Sequence, residues 1–195
     1  MKFLESKRVK TLIIGAAEDT SRVGLELNFS VCKDKSGEIF PTGLRHGSRH
    51  QVQIDQKCPR KTRKLADIHT HPVMYPTGKG SLQSQAKLSW IDIVSANELK
   101  KTLCVAQKVK KTNEVVVKCI TPKSIKTLLG DMYRGNPNLQ KTLENDKKIL
   151  SYYGRKMQFS EEKSRPYIKE KRFKLNETKT EKPKKLKKKI FNFEY

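Results

Sequence analysis

The sequence of 195 residues predicts an α/β fold of the mixed α+β kind, with a central mixed β-sheet flanked by helices and a C-terminal helical and disordered extension. Three observations predict it. Apolar residues recur at helical spacing near the N-terminus, runs with the two-residue period of strands follow, and one further helical segment divides those runs from two more strands.

Within residues 3–18, Val9, Leu12, Ile13, Ala16 and Ala17 fall on one helical face. "LELNFSVCK" then alternates Leu25, Leu27, Phe29 and Val31 against Glu26, Asn28 and Ser30, the pattern of a half-buried strand. The turn "DKSG" returns the chain to "EIF", and the polar, glycine-containing "PTGLRHGSRH" leads to a strand at "QVQI". "KLADIH" is the next strand. After a loop rich in Gly, Ser and Gln, "SWIDIVSANELKK" places Ile91, Val94, Ser95 and Glu98 at helical spacings, and "TLCVAQ" and "EVVVKCI" form two strands around Thr112 and Asn113. These elements make one domain over residues 1–122. "SIKTLLGDMY" and "LQKTLENDKKILSYYG" read as two short helices in an extension over 123–159. In 160–195 apolar residues thin out and Lys and Glu dominate, so that tail is expected to be disordered.

The formal charge of +23 is spread over both halves. Residues 1–120 carry 22 Lys and Arg against 11 Asp and Glu, while residues 121–195 carry 21 against 9, so the excess per residue is heavier toward the C-terminus. The final "EKPKKLKKKIFNFEY" is a solvated basic tail, which attracts polyanions and gives non-specific nucleic-acid contact through counterion release. Cys32, Cys58, Cys104 and Cys119 contain no Cys-x-x-Cys pair and lie mostly in apolar runs, which predicts reduced thiols in an intracellular, cytoplasmic protein. The apolar stretch in "KTLIIGAAED" is too short for a signal peptide, and no run is long enough to span a membrane.

The chemistry concentrates in "ADIHTHP". Residues two apart on a strand share a face, so His69 and His71 project side by side, with Cα atoms about 6.6 Å apart. Two imidazoles at that spacing can converge on one metal ion, although two strand-end histidines held by ordinary hydrogen bonds have the same pattern. Further on, Ser89 and Asp92 stand three apart at a helix start, where serine also suits the N-cap and aspartate the positive end of the dipole.

Together Glu26, "HTHP" and "SWID" resemble the JAMM signature of the JAB/MPN/Mov34 zinc metalloprotease family: an upstream glutamate, His-x-His-Pro, then Ser-x-x-Asp. The resemblance to archaeal-type members covers residues 3–122. It implies an MPN/JAMM-like, cytidine-deaminase-like domain in which His69, His71 and Asp92 hold Zn²⁺ and a water. In that scheme Glu26 takes the water's proton and delivers it to the leaving nitrogen, and Ser89 orients the water or stabilises the oxyanion. Zinc chemistry agrees, since bound Zn²⁺ brings the pKa of water to about 7. The implied activity is isopeptide or peptide hydrolysis, with a ubiquitin-like modifier or a modified protein as substrate. The competing class is a non-catalytic MPN-type scaffold that binds a ribonucleoprotein or nucleic acid through the basic tail.

Some residues fall outside that pattern. The 17 residues from Pro72 to Leu88 form a longer insertion than the family carries between its histidines and serine. Glu18, at the end of the first helix, is the rival base but reads as a surface charge. His46 and His50 flank a glycine loop as exposed residues, and Cys58 reads as a structural thiol.

Overall fold

The computed structural model describes residues 1–48, 57–72, 88, 90–109, 112–135 and 165–175. The expected strand "QVQI", most of the 72–88 insertion, the helix at 139–154, Ser89, His50 and the end of the tail lie outside these residues.

The described chain folds as a mixed α/β structure with three α-helices and a six-stranded mixed sheet in the order β2-β1-β3-β4-β5-β6. The strands are β1 (Leu27–Lys33), β2 (Ile39–His46), β3 (Arg63–Thr70), β4 (Thr102–Val109), β5 (Glu114–Ile120) and β6 (Ile168–Lys174). β3 and β4 are parallel, and every other neighbouring pair is antiparallel. The parallel pair is joined through α2 (Trp90–Leu99), because parallel neighbours need a long crossover where antiparallel ones can turn tightly.

Helix α1 (Lys7–Val23) starts later and runs further than the apolar spacing suggests. Ser6 is extended, with φ −61° and ψ 124°, and separates the helix from a 3-10 turn at Lys2–Glu5. The Ser6 hydroxyl donates to the carbonyl of Ile39 at 2.9 Å, tying the helix start to β2 instead of capping the helix. At the other end Gly24 takes a left-handed conformation, φ 75°, and its amide closes on the Thr20 carbonyl, a common way for glycine to end a helix.

Two apolar layers enclose the sheet. Val9, Ile13, Ile14, Ala16 and Ala17 of α1 pack with Phe29, Val31, Ala66, Ile68, Ala106 and Val117 on one face. On the other, Ile93, Val94 and Ala96 of α2 and Ile125, Leu128 and Leu129 of α3 (Pro122–Gly135) cover Leu103, Val105 and Ile120. The alternation in β1 predicted a half-buried strand; instead every residue from Leu27 to Cys32 is buried. Its polar side chains are satisfied inside the protein: Asn28 Nδ2 donates to the Ile68 carbonyl at 3.2 Å, and Ser30 Oγ donates to Asp67 Oδ1 at 2.5 Å.

Three further expectations are corrected. "PTGLRHGSRH" is not a connection up to His46: Pro41 to His46 continue β2, and Gly43, with φ 69°, lies where the register slips against Asn28 and Ser30. A bulge of this kind needs a residue that accepts positive φ. The tail is not disordered from 160 onward, because a 3-10 turn at Arg165–Tyr167 leads into β6, which adds to β5. The cysteines are not free thiols: Cys32 bonds to Cys58 and Cys104 to Cys119. The second pair sits directly opposite on adjacent antiparallel strands, with Cα atoms 4.0 Å apart, a proximity set by strand register and invisible in sequence spacing. Cys58, read as a structural thiol, is therefore half of a disulfide. Among the described residues no helix is long and apolar enough to cross a membrane.

β6 is held by few apolar anchors and many charges. Phe173 and Leu175 are buried in the α1 layer, while Arg172 pairs with Glu114 at 3.2 Å and Lys171 with Glu5 at 2.8 Å. Truncating Phe173 to alanine should therefore destabilise the protein by about 3–5 kcal/mol in urea unfolding. A change within about 0.5 kcal/mol, normal for a solvated residue, would mean that β6 is not part of the fold.

Candidate metal centre

The carboxyl end of the parallel β3–β4 pair meets the first turn of α2, and this corner collects the chemistry. In β3 the alternation sends Asp67 and His69 toward the α2 layer and Ala66, Ile68 and Thr70 toward α1. His71 follows one residue past the strand, its amide donating to the Ala106 carbonyl at 3.1 Å. Gln107 Nε2 donates to the Pro72 carbonyl at 3.3 Å, so the strand end is anchored on β4. Asp92 enters from the first turn of α2, where a carboxylate is favoured by the helix dipole.

His69 Nε2 lies 3.1 Å from His71 Nε2 and 3.0 Å from Asp92 Oδ1, and His71 Nε2 lies 3.9 Å from Asp92 Oδ2. His69 and Asp92 are 3% and 7% exposed, and His71 is half-buried. Ligands at about 2.0–2.1 Å around a tetrahedral metal stand roughly 3.3 Å apart, so these separations bracket what a small cation requires. The donor set fits as well: the candidate ligand atoms of two imidazoles and a carboxylate lie within 4.8 Å of one another, and a group of this composition could hold a metal ion.

The electrostatics favour positive charge at that point. Burial opposes a charge on His69, yet the charge and hydrogen bond of Asp92, with Glu26 and Asp67 behind it, outweigh burial and raise its pKa. A field that retains a proton on this imidazole attracts a metal cation in the same way.

Glu26 directly precedes β1 and is 7% exposed. Its amide donates to the Ser48 carbonyl at 2.9 Å, and its own carbonyl accepts from the Gly47 amide at 2.8 Å. Burial lifts its carboxyl pKa to about 7; His69 lowers it, and Asp92 raises it further, which places the carboxyl within electrostatic reach of the histidine–aspartate group. On the alternating strand Glu26 stood on the polar side; in the fold it is a buried carboxyl under the electrostatic influence of His69 and Asp92.

Of the five residues singled out in the sequence, His69, His71 and Asp92 come together and Glu26 lies within electrostatic reach of them; Ser89 lies outside the described residues. Glu18 is exposed and pairs with Lys108 at 3.5 Å, away from this group, and His46 is exposed on β2. Sequence reading missed Asp67, which is fully buried, accepts from Ser30 and pairs with Lys64 Nζ at 3.1 Å. Its place two residues before His69 was the available signal. Lys64 joins that face only through the register slip between Val31 and Cys32, which no local pattern announces.

The Glu26 shift has a stability consequence in metal-free protein. Below its ordinary pKa of 4.5 the carboxyl is protonated in both states; as pH rises from there to about 7 the unfolded chain releases the proton first. Glu26 therefore costs stability increasingly over that window, on the order of 2–3 kcal/mol above it. In EDTA, Glu26→Gln should unfold at higher urea than wild type at pH 8, and the two should converge near pH 4.5. Equal midpoints at both pH values would refute the buried placement of this carboxyl. Compared with known proteins, the chain matches no family model and no curated protein.

Proposed function

We propose that this protein is a zinc-dependent hydrolase of amide bonds of the JAMM type, acting as an isopeptidase or peptidase on proteins carrying a ubiquitin-like modifier. The observation that carries this reading is the convergence of His69, His71 and Asp92, with the buried Glu26 beside them, since these residues also make up the signature. Two imidazoles and a carboxylate are a donor set suited to zinc in a hydrolytic site. Zinc, when bound, acts as a Lewis acid on the scissile carbonyl and makes water acidic enough to react near neutral pH.

The protein's own groups supply the proton handling. Glu26, a buried carboxyl within electrostatic reach of His69 and Asp92, is the group assigned to accept a proton and donate it to the leaving amine. Its backbone is bonded on both sides, to Gly47 and Ser48, which fixes the chain beside β1 from which the carboxyl projects. His69 and His71 are fixed by β3 and by the pairing of His71 with Ala106. Ser89, one residue before α2, is assigned by the signature to stabilise the developing oxyanion. The substrate class follows from the resemblance: the amide between a lysine side chain and the extended C-terminus of a ubiquitin-fold modifier, a tail suited to binding by strand addition.

The other reading, a scaffold for a ribonucleoprotein or nucleic acid, is supported by the six lysines between residues 182 and 189. Glu26→Gln separates the two. For the hydrolase, turnover of lysine-linked modifier conjugates by zinc-loaded protein falls by about 10²–10⁴, while zinc content and fold persist. If wild type cleaves no conjugate, and wild type and Glu26→Gln bind an oligonucleotide equally, the scaffold reading takes its place.

A further inference from the structure

β1 and β3 are paired as far as Asn28↔His69, and there each strand takes a different neighbour. Glu26 bonds to Gly47 and Ser48 on the β2 side, whereas His71 bonds to Ala106 of β4. Thr70 sits at the fork. Its Oγ1 accepts the Leu27 amide at 2.9 Å, lies 2.5 Å from Thr20 Oγ1 and reaches the Leu27 carbonyl at 3.4 Å. Both threonines are fully buried, as is Leu27.

The placement matters because of what each residue adjoins. Thr70 lies between His69 and His71 and faces the opposite layer from them, while Leu27 immediately follows Glu26. Thr20 belongs to the last turn of α1, whose end is fixed by Gly24. One pair of hydroxyls thus ties together a helix end, the segment carrying both imidazoles and the backbone next to the carboxyl.

We propose that the Thr20–Thr70 hydroxyl pair positions the centre, setting the separation of Glu26 from the two histidines through the Leu27 amide. The proposal rests on the reading of His69, His71 and Asp92 as metal ligands. Valine at position 70 preserves shape but leaves the buried Leu27 amide without this acceptor, which forces the strand end to shift. Serine keeps the oxygen.

The test measures zinc affinity by chelator competition and the visible absorption of Co²⁺-loaded protein for wild type, Thr70→Val, Thr70→Ser and Thr20→Val. Val115→Ala serves as a control, since it removes a buried core side chain of β5 without touching this network. The expected result is a 10- to 100-fold loss of zinc affinity and displaced cobalt bands in Thr70→Val, with both restored in Thr70→Ser. Thr20→Val should move both readouts in the same direction, and it decides the matter by itself if Thr70→Val does not fold. Unchanged affinity and spectrum in folded valine variants would overturn the proposal, as would an equal change in Val115→Ala. Tight zinc binding by wild type with unaltered variants removes this proposal alone; no zinc binding by wild type removes the ligand reading with it.

Discussion

Two imidazoles and a carboxylate crowd into a largely buried corner, and that arrangement favours a positive charge among them. The Nε2 atoms of His69 and His71 are 3.1 Å apart, and Asp92 stands within 3.0 Å of the first. Buried groups of this kind are costly unless paired, by several kcal/mol for an uncompensated charge. A proton can supply the charge, as the raised pKa of His69 indicates, and a metal ion supplies more of it. The carboxyls of Glu26 and Asp67 act in the same direction on His69 from further away.

The rest of the fold can be read as the means of holding that corner in place. The face of the sheet toward α2 is divided: Asn28, Ser30, Asp67 and His69 occupy β1 and β3, while Leu103, Val105 and Ile120 lie under the helices on β4 and β5. Within the polar half Ser30 bonds to Asp67 and Asn28 to the Ile68 carbonyl, which offsets the burial of those side chains. The apolar half seats α2 and thereby fixes Asp92. On the opposite face α1 provides the larger core and, through Thr20, reaches the strand end that carries the two histidines.

Much of this was legible in local patterns, and the exceptions share a cause. The period of two around "ADIHTHP" and the helical spacing after Asp92 depend on neighbouring residues alone, so the elements bearing His69, His71 and Asp92 could be read directly. What sequence could not show depends on pairing between distant segments. Cys104 and Cys119 meet because β4 and β5 are in register, and Asn28 and Ser30 are buried on a strand paired on both edges, where they bond to Ile68 and Asp67. β6 escaped detection because "IKEKRFK" carries its strand on Phe173 and on ion pairs with Glu114 and Glu5, which a hydropathy reading scores as solvated chain. Glu26 was recognised by its place in a motif, while its burial and the consequent shift to about 7 arise only from the tertiary structure.

The most direct test of the account is the metal content of the protein. Wild type and the double variant His69→Ala/His71→Ala, both purified without added metal, would be compared by elemental mass spectrometry before and after reconstitution with zinc. The account predicts close to one zinc per wild-type chain and its loss in the folded double variant. A well-folded wild type that stays metal-free after reconstitution would contradict it.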